Sequence, residues 1–231
     1  RQEEWYRRGL RLCLFAETEA FLFLRKERSK RNSVAIQVVD TPEKFHPAAE
    51  AAAQALAALL RELAAMENKS FAQYTRLCKK GQVIEFRDGA RREFTDIQDW
   101  KEEMKLRFAA LLDPHCTQKL IAQRRDCLHA DHFPSSFNCV NTGCTLSVTM
   151  KSAGKAVAQL VPDEDSVPFD LSDPDVRYLV EDAKRGGHDA QCYGYFQKYR
   201  FVLKREAEEW HIDEVSCDSL HGDRWRRDHY F

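Results

Sequence analysis

Apolar and polar side chains alternate with a period of two along residues 193–215. The apolar side chains of one parity are Tyr193, Tyr195, Tyr199, Phe201 and Leu203, and basic side chains occupy the other parity. The charged residues 205–209 then reverse the chain, and Trp210 and Ile212 resume the apolar face. A period of two is that of a strand with one buried face, so the sequence predicts a long antiparallel hairpin.

Apolar residues recur mostly at helical spacing in the N-terminal half of the chain. A helix is predicted within residues 1–31 and a short β-branched strand at 34–39. The alanine-rich run 48–65 follows Pro47, a residue that suits the first position of a helix. Polar residues 66–69 interrupt the apolar stripe, so the pattern predicts a separate helix that ends at Gly81. The stripe of the first helix comprises Leu56, Leu59, Leu60 and Leu63.

The remaining predicted elements are short strands and helices. The Asp88-Gly89 pair predicts a hairpin turn within residues 82–94. Apolar spacing then predicts a helix over 97–111 that Asp113-Pro114 terminates, and a short helix across 115–125. Two further strands are predicted at 145–150 and 156–161. Helices gathered upstream of a mainly antiparallel sheet are typical of the α+β class.

A change of composition near residue 66 divides the chain into two predicted parts. Residues 1–65 are interpreted as a helical extension or small module, and residues 66–231 as the α+β domain. The chain starts at Arg1 rather than at a methionine, so we expect further residues upstream.

The sequence of residues 198–213 contains Lys-Tyr-Arg-Phe-Val-Leu-Lys followed by Trp-His-Ile-Asp. It resembles the last hairpin of the nuclear-transport-factor-2-like superfamily. The resemblance implies N-terminal helices packed into a strongly curved sheet that together form a cone. Members of this fold include isomerases, dehydratases, transport adaptors and the immunity proteins of bacterial polymorphic toxin systems. The order of elements is similar to that of the immunity proteins.

Composition narrows the class of protein. Of 231 residues, 43% are hydrophobic, which is enough for a core, and the net charge of -1 argues against a general nucleic-acid binder. No apolar run approaches the roughly 20 residues that cross a bilayer. Eight cysteines lack the regular spacing of a disulfide framework. We therefore expect a soluble cytoplasmic protein with reduced thiols, bound neither to nucleic acid nor to a membrane.

The strongest charge asymmetry lies between residues 163 and 182. Eight acidic residues stand there against the single base Arg177, which gives a local charge of about -7 at pH 7. Clustered carboxylates attract a basic surface, although a solvated loop is the competing interpretation. The predicted partner-binding residues are Asp163, Glu164, Asp165, Asp170, Asp173 and Asp175. The basic and aromatic residues 224–231 are a second candidate contact.

Two sequence features raise the question of chemistry at cysteine. A zinc ion requires about four thiolate or imidazole ligands, and five candidates fall within a short segment: Cys127, His129, His132, Cys139 and Cys144. Their spacing matches no standard zinc motif, so unpaired thiols and surface histidines are the preferred interpretation. Cys139 next to Asn138 is a weaker candidate for a nucleophile, because it would need a base beside it.

A cone-shaped fold implies an interior pocket, lined here by Tyr195, Tyr199, Phe201 and Trp210. Asp213 and His115 could add acid–base chemistry there, although aromatic core residues and a pairing Asp213 are the simpler interpretation. We predict no catalytic residue, no metal and no cofactor. The function predicted is non-enzymatic protein binding, as in an immunity protein that neutralises a basic toxin domain. The alternatives are an adaptor subunit of a larger assembly and a small-ligand-binding or isomerase-type enzyme.

Overall fold

Six strands form one sheet, which is one layer of the protein. A computed structural model describes residues 34–81, 83–85, 91–93, 95–124, 137–163, 197–228 and 231. The strands of the sheet are β1 Val34–Val38, β4 Cys144–Ser152, β5 Lys155–Pro162, β6 Gln197–Glu206, β7 Glu209–Ser219 and β8 Arg226–Arg227. They lie in the order β1-β4-β5-β6-β7-β8. Strand β1 is parallel to β4, and every other neighbouring pair is antiparallel.

The predicted C-terminal hairpin is present as strands β6 and β7. Tyr199, Phe201 and Leu203 on β6 are buried, as their shared parity predicts. The two strands are joined by Ala207 and Glu208, both with positive φ, 48° and 72°. A two-residue loop of this handedness matches the right-handed twist of a hairpin. The predicted N-terminal part of the first strand, at residues 193–196, lies outside the described residues.

One continuous helix, α1 His46–Lys79, covers the sheet. The prediction of two helices separated at residues 66–69 is therefore wrong. Glu67 and Ser70 are buried in the described structure despite their polarity. Ser70 Oγ lies 3.3 Å from Met104 Sδ, and Asn68 Nδ2 donates to Asn138 Oδ1 at 3.1 Å. These partners lie far along the chain, so a pattern read within the helix could not show them.

Two of the other described helices correspond to predictions, whereas the four-residue helix Cys139–Thr142 lies in a segment where no apolar period predicted one. Helix α2 spans Thr95–Leu112 and ends where Asp113–His115 form one turn of 3-10 helix. Helix α3 spans Gln118–Gln123, and the short helix α4 spans Cys139–Thr142. The remaining strands, β2 Val83–Glu85 and β3 Arg91–Glu93, form a separate antiparallel pair. None of these described helices has the length and apolar content that crossing a membrane requires.

The core lies between α1 and the inner face of the sheet. Alanines allow a helix to approach a sheet closely because their side chains are short. Four alanines of α1 have no exposed surface, namely Ala49, Ala52, Ala53 and Ala64. The side chains that the sheet contributes are also fully buried, and they include Leu146, Val148, Leu160 and Phe201. The protein is therefore α+β with an open, mostly antiparallel sheet.

The division of the chain at residue 65 stays a prediction, since residues 1–33 lie outside the described part. Helix α1 crosses that position without interruption, and Leu63 and Ala64 share one core cluster with the strands of the sheet. Residues 46–65 therefore pack with the C-terminal sheet in the described structure.

Candidate functional site

Four aromatic rings fill the space between the helices and the middle of the sheet. Phe137 lies 4.7 Å from Tyr199 and 5.6 Å from Phe231, measured between ring centroids. Phe201 lies 6.1 Å from Tyr199 and 5.7 Å from Phe231. All four are buried, with at most 4% of their surface exposed. Of the residues predicted to line a pocket, Tyr199 and Phe201 thus pack in the core, and Tyr195 lies outside the described residues.

Trp210, the fourth predicted pocket residue, lies at a shallow cleft at one end of the sheet. The cleft separates α1 from the strands β6 and β7, and its volume is about 250 Å³ including open solvent. His115 is the one titratable residue of its lining. The lining residues are Ala52, Ala55, Leu56, Leu59, His115, Leu203, Trp210 and Ile212. Such a surface can accept an apolar side chain, since it offers few groups that orient a polar substrate.

A buried carboxylate, Asp213, lies on a β-bulge in strand β7. The pairing shifts there, from Leu203 opposite Ile212 to Val202 opposite Glu214, so Asp213 is the extra residue. Its Oδ1 accepts a hydrogen bond from Thr117 Oγ1 at 3.1 Å. The bulge therefore aims one carboxylate at the start of helix α3.

Two lysines complete the surroundings of this carboxylate. Lys204 Nζ lies 3.0 Å and Lys119 Nζ 3.4 Å from Asp213 Oδ2. Only 5% of Asp213 is exposed, whereas the lysine side chains are 40% and 52% exposed. Burial alone would raise the pKa of Asp213, but the hydrogen bonds from Lys204 and Thr117 and the charge of Lys119 lower it by more. The net result is a pKa below the ordinary value, which keeps the group ionised.

Thr117 connects the bulge to helix α3 in two ways. Its hydroxyl accepts a hydrogen bond from the Leu120 backbone N–H at 3.3 Å, which caps the helix. Its own backbone N–H donates to the Ile212 carbonyl at 2.9 Å. The Asp213 cluster therefore fixes the position of α3 against β7, as expected of a pairing carboxylate near the sheet edge.

The sequence contains a signal for this bulge, which lies in the positions of the apolar residues along β7. Trp210 and Ile212 have even numbers, whereas the buried Val215 and Cys217 have odd numbers. A change of parity within an apolar pattern indicates one inserted residue. The identity of its partners, 94 and 96 positions away, could not be read from the pattern.

Two of the five candidate zinc ligands come together in the core. Cys139 and Cys144 are free thiols, each 1% exposed. A hydrogen bond with Cys144, together with burial, raises the pKa of the Cys139 thiol well above its ordinary value. Among the described residues, no group of three or more histidine, cysteine or acidic side chains is placed to hold a metal. The other three candidates, Cys127, His129 and His132, lie outside the described residues.

The raised pKa also bears on the nucleophile hypothesis for Cys139. A nucleophilic cysteine needs its thiolate form, which a lowered pKa provides. The surroundings of Cys139 act in the opposite direction. Burial likewise raises the pKa of Cys116 to about 11, against the smaller lowering effect of Arg124.

The acidic stretch begins at the end of strand β5. Asp163 is exposed, and its backbone N–H donates to the Gly143 carbonyl at 3.1 Å. Gly143 has a φ of 147°, and a Cβ there would lie 2.7 Å from Asp163 Oδ2. Glycine is thus required where this segment leaves the sheet. The other predicted partner-binding residues, Glu164, Asp165, Asp170, Asp173 and Asp175, lie outside the described residues.

The second candidate contact, at residues 224–231, is held on the sheet by aromatic side chains. Trp225 lies over the outer face, where its ring centroid is 4.7 Å from Arg200 Cζ and 5.3 Å from Lys198 Nζ. Phe231 lies in the core among the aromatic rings. The exposed part of this segment within the described residues is basic, with Arg224, Arg226 and Arg227 at the surface.

Among the described residues, the candidate site residues thus lie at an open cleft, in the aromatic core and at the Asp213 cluster. Comparisons of the chain with models of known protein families, with curated proteins and with solved structures found no match.

Proposed function

We propose that this chain is a non-enzymatic protein-binding domain that uses its acidic stretch to bind a basic partner. The model for this function is the immunity proteins of bacterial toxin systems, which the C-terminal hairpin resembles. The observation that carries the proposal is the filled interior, in which Phe137, Tyr199, Phe201 and Phe231 occupy the place of a pocket.

The size of the remaining cleft bears on the choice between surface binding and a small-molecule site. Sites for drug-sized ligands usually enclose about 300–1,000 Å³ and bury most of the ligand. Most of the 250 Å³ of the cleft beside Trp210 is open solvent, and its enclosed part measures only about 20 Å³. It is thus too small and too open to favour the enzyme alternative over a protein contact.

Electrostatics support the choice of a basic partner. A local charge of about -7 between residues 163 and 182, on a chain whose total charge is -1, is a strong asymmetry of charge along the sequence. Such asymmetry accelerates the encounter with a positively charged surface and makes binding sensitive to salt. Asp163 ties the start of this stretch to the end of the sheet.

The proposal is tested with the full chain as bait in a native lysate. We expect a stoichiometric complex with a basic protein, isolated by size exclusion and identified by mass spectrometry. A toxin-like partner should lose its activity in that complex, whereas an adaptor would be recovered with several subunits. A chain that elutes alone from every lysate would overturn the proposal.

Charge neutralisation then tests the acidic stretch itself. Changing Glu164, Asp165, Asp170, Asp173 and Asp175 to Gln or Asn should weaken the isolated complex by about 10-fold or more at low salt and flatten its salt dependence. The matched control neutralises five exposed acids elsewhere in the described structure: Glu50, Glu62, Asp96, Asp99 and Glu214. Equal losses in the two variants would mean that total charge, rather than this stretch, determines binding.

A further inference from the structure

The outer edge of strand β1 carries backbone groups that have no partner among the described residues. Val39 N–H donates to the Val148 carbonyl at 2.9 Å, and Val38 is the residue opposite Val148. In a parallel pair, every second residue of a strand bonds to the neighbouring strand. The N–H and C=O groups that point to β4 are therefore those of Ala35, Gln37 and Val39. Val34, Ile36 and Val38 direct theirs away from the sheet. No other strand in the described part of the chain pairs with this edge.

This edge lacks the devices by which proteins usually prevent strand pairing. Residues 34–39 contain no charged side chain and no proline. Three large hydrophobic side chains are exposed among the described residues, and two of them are here: Ile36 at 37% and Val39 at 38%. The third is Leu106 on α2, at 72%.

The opposite edge of the sheet is covered. The Val215 carbonyl of β7 accepts a hydrogen bond from Asp228 N–H at 3.0 Å, and Cys116 bridges to Ile212. The short strand β8 that lies there consists of two exposed arginines, Arg226 and Arg227. Of the two edges of this six-stranded sheet, β1 is thus the one with the properties of a pairing surface.

We propose that β1 pairs antiparallel with β1 of a second copy of this chain, about a two-fold axis at Ile36. The pattern Val-Ala-Ile-Gln-Val has valine at both ends of Ile36, so Val34 faces Val38 of the other copy and Ile36 faces Ile36. Each of these pairs exchanges two backbone hydrogen bonds, because all three residues direct both groups outward. The neutral strand has no charge to repel its own copy and none to attract a charged partner. A two-fold axis makes the contact closed and self-complementary.

The inference is independent of the acidic stretch, because it concerns another edge of the sheet. Pairing of a five-residue strand gives a small interface, so we expect a dimer that forms at high concentration and dissociates on dilution. Light scattering on the full chain over a range of concentrations should show the mass rise from 26.9 kDa toward twice that value. A mass that stays at 26.9 kDa at about 1 mM chain would overturn the proposal.

Two charge variants at the symmetry axis test the register. Ile36→Lys and Ile36→Glu each place two like charges opposite one another, so each variant alone should remain monomeric. Their equimolar mixture should dimerise about 10-fold more tightly than either variant alone, since unlike charges then face each other. Leu106→Lys, at the other exposed hydrophobic residue, should leave the dimer unchanged. Circular dichroism checks that each variant is folded.

Each remaining outcome contradicts the proposal. Dimers that persist in Ile36→Lys would place the contact elsewhere on the surface. If each variant is monomeric and their mixture is monomeric too, Ile36 does not face Ile36 of another copy. This edge would then accept a different strand. Loss of the dimer in Leu106→Lys would assign the contact to helix α2.

Discussion

At the scale of single residues, Asp213 shows how one buried charge is kept ionised. Its carboxylate receives hydrogen bonds or ion pairs from Thr117, Lys119 and Lys204, and these outweigh the effect of burial on its pKa. A carboxyl group with a lowered pKa in the folded state stabilises the fold at pH values above its unfolded pKa of about 3.9. That contribution is lost as the pH falls through the folded pKa.

We predict that Asp213→Asn lowers the free energy of unfolding by about 1–3 kcal/mol at pH 7, because a charged hydrogen-bond acceptor is removed from a buried position. Urea titrations of wild type and variant should differ most near pH 7. The difference should begin to shrink below about pH 4, the unfolded pKa, and be lost once the pH is below the lowered folded pKa. Glu214→Gln changes the exposed neighbour and should alter stability by less than about 0.5 kcal/mol. A constant difference between wild type and Asp213→Asn down to about pH 2 would contradict this account.

At the scale of elements, helix α1 is defined by how closely it approaches the sheet. Ala49 and Ala53 are fully buried and do not line the cleft beside Trp210, so little space remains for a longer side chain at these two positions. The polar positions Glu67 and Ser70 are also buried, which shows that this helix is surrounded on more than its leucine stripe. The continuity of the helix follows from these tertiary contacts rather than from an uninterrupted apolar pattern.

We predict that Ala53→Leu destabilises the protein by about 1–3 kcal/mol, because the added atoms force the helix away from the sheet. Ala58→Leu provides the matched control, since it makes the same change on the exposed face of the same helix. It should change the free energy of unfolding by less than about 0.5 kcal/mol. Chemical denaturation of both variants measures the difference, and similar values would mean that the helix tolerates larger residues toward the sheet.

At the scale of the whole molecule, the interior joins segments that are distant along the chain. Phe137, which precedes helix α4, contacts Tyr199 of β6 and Phe231 beyond β8. These rings fill the space between the sheet and the helices. The resemblance implies a pocket there, and the described structure has a packed core instead.

We predict that Phe231→Ala lowers the free energy of unfolding by about 3 kcal/mol or more, because it removes a 1%-exposed ring that packs edge-on against Phe137 and Phe201. Thermal denaturation should show a lower midpoint. Arg226→Ala, in the same segment but exposed, should leave the midpoint nearly unchanged. Equal midpoints for wild type and Phe231→Ala would show that the ring does not contribute to the core.

Local pattern alone predicted most of the strands and the buried face of β6, whereas the two-residue strand β8 shows no such pattern. The alternation at Tyr199, Phe201 and Leu203 predicted the burial of all three, because a strand turns each successive side chain to the opposite face. The same reasoning placed α2, α3 and the strands β1, β4 and β5 at nearly their observed positions. These features depend on neighbours within a few residues, which the sequence displays directly.

Only the tertiary structure decided what those elements contact. Three features involve residues far apart in the chain: the parallel pairing of β1 with β4, the continuity of α1 through Glu67, and the contacts of Asp213 with Thr117 and Lys119. A polar side chain is stable in the core only when a partner meets its hydrogen-bonding groups, and local periodicity contains no information about that partner. The filled interior has the same origin, since Phe231 reaches Phe137 and Phe201 only after the sheet has formed.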